Sequence, residues 1–159
     1  MIVVELPNEA ATAALAARIA KLARPGDVIA LKGELGAGKT SFARAFIRAR
    51  GGVEDVPSPT FTLVQVYQLG ESAIWHFDCY RLRHPEEAWE LAIEDAFSDG
   101  ISLIEWPERL GPLLPARRLL ISLCAGSTAT ARRAVIEPGA GPGTDWAARL
   151  TGLARGDLR

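Results

Sequence analysis

"GELGAGKT", Gly33 to Thr40, is the stretch on which the reading of this chain turns, because it satisfies G-x-x-x-x-G-K-[ST] in full. Glycines let the backbone wrap closely around phosphate oxygens, and the amides from Gly36 to Thr40 turn into the loop. The helix that opens near Lys39 then presents the positive end of its dipole. Lys39 would reach the β and γ phosphates, and the Thr40 hydroxyl would hold Mg²⁺. The surroundings fit: an apolar run, Val28 to Leu31, enters the loop, and Phe42, Ala45, Phe46 and Ala49 leave it at helical spacing.

Outward from the loop the chain alternates strands and helices. "IVVEL" reads as a short strand, and Asn8 as the N-cap of a helix whose apolar positions Ala11, Leu15, Ile19 and Leu22 share one face. Gly51-Gly52 ends the helix after the loop. Phe61 to Tyr67 and Ala73 to Phe77 are strand candidates around a turn at Gly70, and Pro85 opens a short helix, Glu86 to Ala92. "GISLIEWP" is a strand stopped by Pro107. Leu119 to Cys124 and Ala134 to Ile136 make a hairpin, and "EPGAGPGTD" leads to a terminal helix around Trp146 to Leu153. The expectation is an α/β P-loop NTPase sandwich with a mostly parallel or mixed central sheet flanked by helices, residues 1–159 forming one domain with the 117–153 hairpin and helix as part of it.

Composition narrows the function. With 159 residues the chain can bury about 70% of the surface its unfolded form exposes. Apolar residues make up 48% and charged residues 23%, well away from a disordered composition. No apolar run approaches the roughly 20 residues of a membrane span, and the opening "IVVELP" lacks a basic leader, so a cytoplasmic protein without a membrane partner is expected. Eighteen Lys plus Arg against 19 Asp plus Glu give a net charge of -1, which argues against gripping nucleic acid unaided. The pairs Arg117/Arg118 and Arg132/Arg133 read as solvated strand ends. Cys79 and Cys124 lack a CxxC or Cys/His neighbour and read as buried small residues in a reducing compartment.

A phosphate loop needs a carboxylate to complete a metal site. Asp78 ends the strand "AIWHF" at the sheet edge where ligands bind in open α/β folds, though a turn-capping role fits the same position. His76 alternates with it on one strand face and reads as a structural histidine. Glu105, after "ISLI", also closes an apolar strand, and either faces the site or lies exposed beside a packing Trp106.

The ordered set "GELGAGKTSFARAF", "SPTFTLVQVY", "HFDCYRL" and "IEWPERL" resembles the TsaE family, also called YjeE, over roughly Leu6 to Leu110. These are ATPase subunits of bacterial tRNA threonylcarbamoyladenosine synthesis. The resemblance implies that Leu35, Gly36, Ala37, Gly38, Lys39, Thr40 and Ser41 hold ATP, that Thr40 and Glu105 hold Mg²⁺, and that Asp78 takes the Walker B-like place. It makes Lys39, Asp78 and Glu105 the catalytic candidates. Ser58, Thr60 and Thr62 fall in a switch-like segment near the γ phosphate, and Asn8, Glu9 and Thr12 on the adenine side. The chain departs from the family pattern at Ala92, where Gly is usual, and at Ala96, where an aromatic is usual. The implied partners are the TsaD and TsaB counterparts, with tRNA met only through that assembly, which ATP hydrolysis would reset. Two other readings share the loop: a small-molecule kinase, for which Arg81 and Arg83 are the local lid candidates, and a nucleotide-gated binding module without turnover.

Overall fold

A computed structural model of the protein describes residues 1–52, 63–70, 72–139 and 145–154. The switch-like segment with Ser58, Thr60 and Thr62 lies outside the described residues, as do Phe61 and part of the "EPGAGPGTD" connection. Among the described residues seven strands form one mixed sheet: β1 (Ile2–Leu6), β2 (Val28–Lys32), β3 (Val64–Leu69), β4 (Ser72–Asp78), β5 (Ile101–Glu105), β6 (Leu119–Ala125) and β7 (Arg132–Pro138). Their order is β1-β7-β6-β2-β5-β4-β3. The inner strands β6, β2, β5 and β4 run parallel, while β3, β7 and β1 add antiparallel margins.

This layout explains the hydropathy of each strand. β2 and β5 lie in the middle of the sheet with both faces covered, so Val28, Ile29, Ala30 and Leu31 form an unbroken buried run. At the margin, β1 alternates between half-buried and exposed positions. On one face α1 (Glu9–Leu22) and α2 (Lys39–Ala49) pack on each other and on Ile29, Leu31, Ile74, Ile101 and Leu103. The other face buries Val28, Phe77 and Ile104 under two 3₁₀ segments, Pro85–Leu91 and Pro107–Leu113, and under α3 (Ile93–Asp99). Two one-turn helices, α4 (Trp146–Arg149) and α5 (Thr151–Ala154), add Trp146, Leu150 and Leu153 to the α1/α2 side.

Local rules set the boundaries. Asn8 is the N-cap of α1 as expected: its Oδ1 accepts the Ala11 N–H at 2.9 Å. α2 begins after Gly38, whose φ of 100° a side chain would resist, and a Cβ at Gly33 would lie 2.5 Å from the Leu123 carbonyl oxygen. The segment after Pro85 is a 3₁₀ helix rather than an α-helix. Ala92 ends it in the left-handed conformation (φ 57°, ψ 37°) and redirects the chain into α3, a seven-residue helix too short to show as periodicity. Cys124 is exposed near the end of β6, contrary to expectation, whereas Cys79 is buried and burial pushes its thiol up to about 12. Arg117 is not a solvated strand end either: its guanidinium donates to the Gly26 and Phe97 carbonyls.

Candidate functional site

Strand alternation decides which groups meet. Ile101 and Leu103 face the α1/α2 layer, so Glu105, two residues on, faces it as well; Ile74 likewise carries His76 and Asp78 to that side. Asp78 and Glu105 are partners in the parallel register of β4 and β5, and Glu105 is also level with Leu31 at the end of β2. The Cys79 N–H donates to the Glu105 carbonyl at 3.0 Å and ties the two strand ends together. Two carboxylates therefore stand side by side at the C-terminal edge of the parallel strands, beside the loop that follows β2.

Glu105 is the junction of the site and only 3% exposed. Its Oε1 accepts from Thr40 Oγ1 at 2.9 Å, and its Oε2 lies 2.6 Å from His76 Nε2. His76 is fully buried, and its Nδ1 has no hydrogen-bond partner among the described residues. The structural role expected of His76 thus has a specific content, since it fixes the rotamer of the central carboxylate. Asp78, also nearly buried, accepts the Tyr80 N–H on Oδ1 at 3.0 Å, so capping a turn and facing the site are compatible.

Lys39 folds back over its own loop. Its ammonium donates to the carbonyls of Gly33 and Glu34 and sits 4.2 Å from the centre of the Trp106 ring. Burial lowers its pKa, and the nearby carboxylates Glu105, Glu108, Asp78 and Glu34 oppose that shift. Trp106 reaches the lysine because its backbone is left-handed (φ 59°, ψ 52°), a turn that Pro107 then continues, and its ring packs at 4.8 Å on Tyr80.

These groups border a cleft of about 270 Å³. Leu35, Gly36 and the run from Gly38 to Ser41 form one wall, while Asp78, Glu105 and Trp106 form the other. Arg132 closes the rim, a residue that charge counting alone had placed among solvated strand ends. Ala37 instead lines a smaller cleft of about 170 Å³, with Leu123, Cys124 and Ala125. Asn8, Glu9 and Thr12 line neither cleft: the Asn8 side chain caps α1, Thr12 is buried, and Glu9 is exposed. Arg81 and Arg83 are exposed and lie outside both clefts.

The oxygen donors suit a hard cation. Thr40 Oγ1, Glu105 and Asp78 offer one hydroxyl and two carboxylates, and no cluster of three or more His, Cys, Asp or Glu capable of holding a metal exists among the described residues. That sparse set fits Mg²⁺, which keeps waters and phosphate oxygens and takes only one or two carboxylates from a protein.

Comparison with known proteins converges on one group. Residues 6–135 match the family model described as "Threonylcarbamoyl adenosine biosynthesis protein TsaE". The tRNA threonylcarbamoyladenosine biosynthesis protein TsaE of Rickettsia felis is 41% identical over 119 residues, covering 74% of this chain and 70% of that one. Its counterpart in Bacillus subtilis is 39% identical over 115 residues, 72% of each chain. Among solved structures, Bacillus subtilis YdiB superposes with a TM-score of 0.78 at 29% identity, covering 98% of this chain and 95% of that chain. No helix among the described residues is long and apolar enough to cross a membrane.

Proposed function

Because the chain belongs to the TsaE family of tRNA threonylcarbamoyladenosine biosynthesis proteins, we propose that it is a Mg²⁺-dependent ATPase that works in the cytoplasm with TsaD and TsaB counterparts and resets their assembly by hydrolysis. The observation that carries the reading is the convergence of Lys39, Thr40, Asp78 and Glu105 on one cleft at the end of the parallel strands. In that cleft, bound Mg²⁺·ATP would supply the phosphoryl group and a metal that screens its charge.

The chain's own residues then have distinct tasks. Gly36 and the run from Gly38 to Thr40 would offer backbone amides to the phosphates, the Ala37 N–H being donated to the Glu34 carbonyl at 3.0 Å, and Thr40 and Glu105, hydrogen-bonded at 2.9 Å, would hold the cation. Lys39 exchanges loop carbonyls for phosphate oxygens. Its rest position makes this exchange local, because the ammonium already lies within the loop. Asp78, fixed by the Tyr80 amide, stands level with Glu105 to orient water or complete the cation's outer shell. No arginine from the 81–83 segment lines the cleft, and Arg132, which does, is engaged on loop and hairpin carbonyls, so slow turnover alone and acceleration by partners are expected, an in-trans cation being worth ~10³ to 10⁵ in rate.

Lys39→Ala tests the reading. The folded variant should bind ATP at least ~100-fold more weakly, about 2.7 kcal/mol, as measured by calorimetry. Unchanged affinity would remove the loop from the site. Phosphate release measured with and without the TsaD and TsaB counterparts tests the partner reading: fast turnover that ignores them counts against it.

A further inference from the structure

We propose that Arg132 is a positioning residue of the phosphate loop, acting through the carbonyls of Gly36 and Ala37; the inference rests on the nucleotide reading above. Arg132 is far from the loop in sequence, and its backbone is fixed by the sheet, paired with Leu6 of β1 and Ala125 of β6. From there its guanidinium reaches the loop. Nε donates to the Ala37 carbonyl at 3.0 Å and Nη2 to the Gly36 carbonyl at 3.1 Å. Nη1 is spent on the hairpin itself, donating to Ala129 O at 2.9 Å and Ala131 O at 2.8 Å.

Every nitrogen of the group is thereby engaged, two of them on successive carbonyls of the loop. A planar fork held at one end by the hairpin and at the other by two consecutive carbonyls restricts both peptide planes, which a single-point ammonium cannot do. The consequence for binding follows from peptide geometry. In a trans peptide N–H and C=O point in opposite directions, so holding the Ala37 carbonyl against Arg132 turns the Gly38 N–H to the other side. Gly38 itself adopts a φ of 100°, a backbone turn that glycine takes readily and a side chain would resist. Anion-binding loops work when their amides are fixed before the phosphate arrives. The adjacent Arg133 serves as an internal contrast, because it is exposed and, among the described residues, its Nε pairs with exposed Glu5 at 2.6 Å.

A residue that shapes the loop acts on the phosphates ATP and ADP share, so its loss should move affinity for both and leave the chemical step nearly intact. Calorimetry with ADP and ATP, kcat at saturating ATP and thermal melts on the full chain test this. In Arg132→Ala both Kd values should rise by ~10-fold or more while kcat stays within ~3-fold. Arg132→Lys, which keeps the charge and the stem but not the fork, should remain at least ~5-fold weaker than wild type and stands in for the alanine variant should that one not fold. Arg133→Ala should bind as wild type does. Wild-type affinity in either Arg132 variant overturns the inference, as does a fall in kcat with unchanged Kd. If Lys39→Ala loses nucleotide in the same assay, the nucleotide reading survives that result by itself. A wild-type protein that binds no nucleotide removes both.

Discussion

The two ends of the inner strands handle buried charge in opposite ways. At the entry to β2, Arg149 is 7% exposed and fully occupied: it grips Asp27 with two nitrogens at 2.7 and 3.0 Å, donates to the Leu22 carbonyl at 2.8 Å and to Asp145 at 2.6 Å, and lies over the Trp146 ring at 4.0 Å. Arg117 closes the same end against the Gly26 and Phe97 carbonyls. At the exit of β2 and β5 the arrangement is incomplete among the described residues. Lys39 rests on loop carbonyls rather than on a carboxylate, Glu105 is shared between Thr40 and His76, and His76 Nδ1 has no partner among the described residues. A saturated network specifies a structure; one with spare donors and acceptors is costly unless something else completes it. On the proposed reading, stability belongs to one end of the sheet and ligand chemistry to the other.

Breaking the saturated end gives the largest expected effect. Arg149→Ala leaves Asp27, whose side chain is 12% exposed, without its counter-charge and unties α4 from α1, so stability should fall by about 3 kcal/mol. For a chain of this length that is a drop of roughly 6 to 12 °C in Tm. Nucleotide affinity, measured well below the melting range, should not change. A variant that melts as wild type does, or that loses ATP binding while still folded, would collapse the distinction between the two ends.

Changing the incomplete end should do the reverse. Glu105→Gln keeps the shape and one acceptor oxygen, turns the other oxygen into an N–H donor and removes the charge, so ATP should still bind while hydrolysis falls at least ~10-fold, about 1.4 kcal/mol of transition-state stabilisation. Stability should stay within about 1 kcal/mol of wild type. Phosphate release, ATP titration and a urea melt on one preparation separate these quantities. Wild-type turnover in the glutamine variant would make Glu105 a structural residue whose role ends at its contacts with Thr40 and His76.

Much of this layout was legible in the order of residues, and the limits have a physical cause. The Asn8 cap, the strand and helix around the loop, and the strand-end placement of Asp78 and Glu105 depend on neighbours within a few positions, which periodicity and capping rules capture. That Asp78 and Glu105 stand level depends on β4 pairing with β5, which no local pattern encodes. Arg117, Arg132 and Arg149 were opaque for the same reason, because each binds carbonyls or carboxylates at least 20 positions away and a sequence shows only that it is charged. Trp106 was visible as the neighbour of Glu105. Its ring over Lys39 was not, since that contact requires a left-handed tryptophan backbone.

Backbone strain offers the smallest and sharpest test of the comparison. Among the described residues three non-glycine positions have positive φ: Leu63, Ala92 and Trp106. Trp106 sits at the incomplete end, and its conformation carries the contact with Lys39, so strain there has a local use. Ala92 lies on the other face of the sheet, between the Pro85–Leu91 segment and α3, and lines neither cleft. Its left-handed backbone costs about 1 to 2 kcal/mol that glycine would not incur, while glycine's extra freedom in the unfolded chain returns about 0.4 to 1 kcal/mol of that. Ala92→Gly should therefore stabilise the protein by about 0.5 kcal/mol in urea melts and leave ATP affinity and hydrolysis unchanged. The matching change at the other position, Trp106→Gly, removes an indole along with the strain and should weaken ATP binding whatever it does to stability. If Ala92→Gly instead lowers turnover in a protein of undiminished stability, the turn into α3 belongs to the working end, and the division between the two ends of the sheet is drawn in the wrong place.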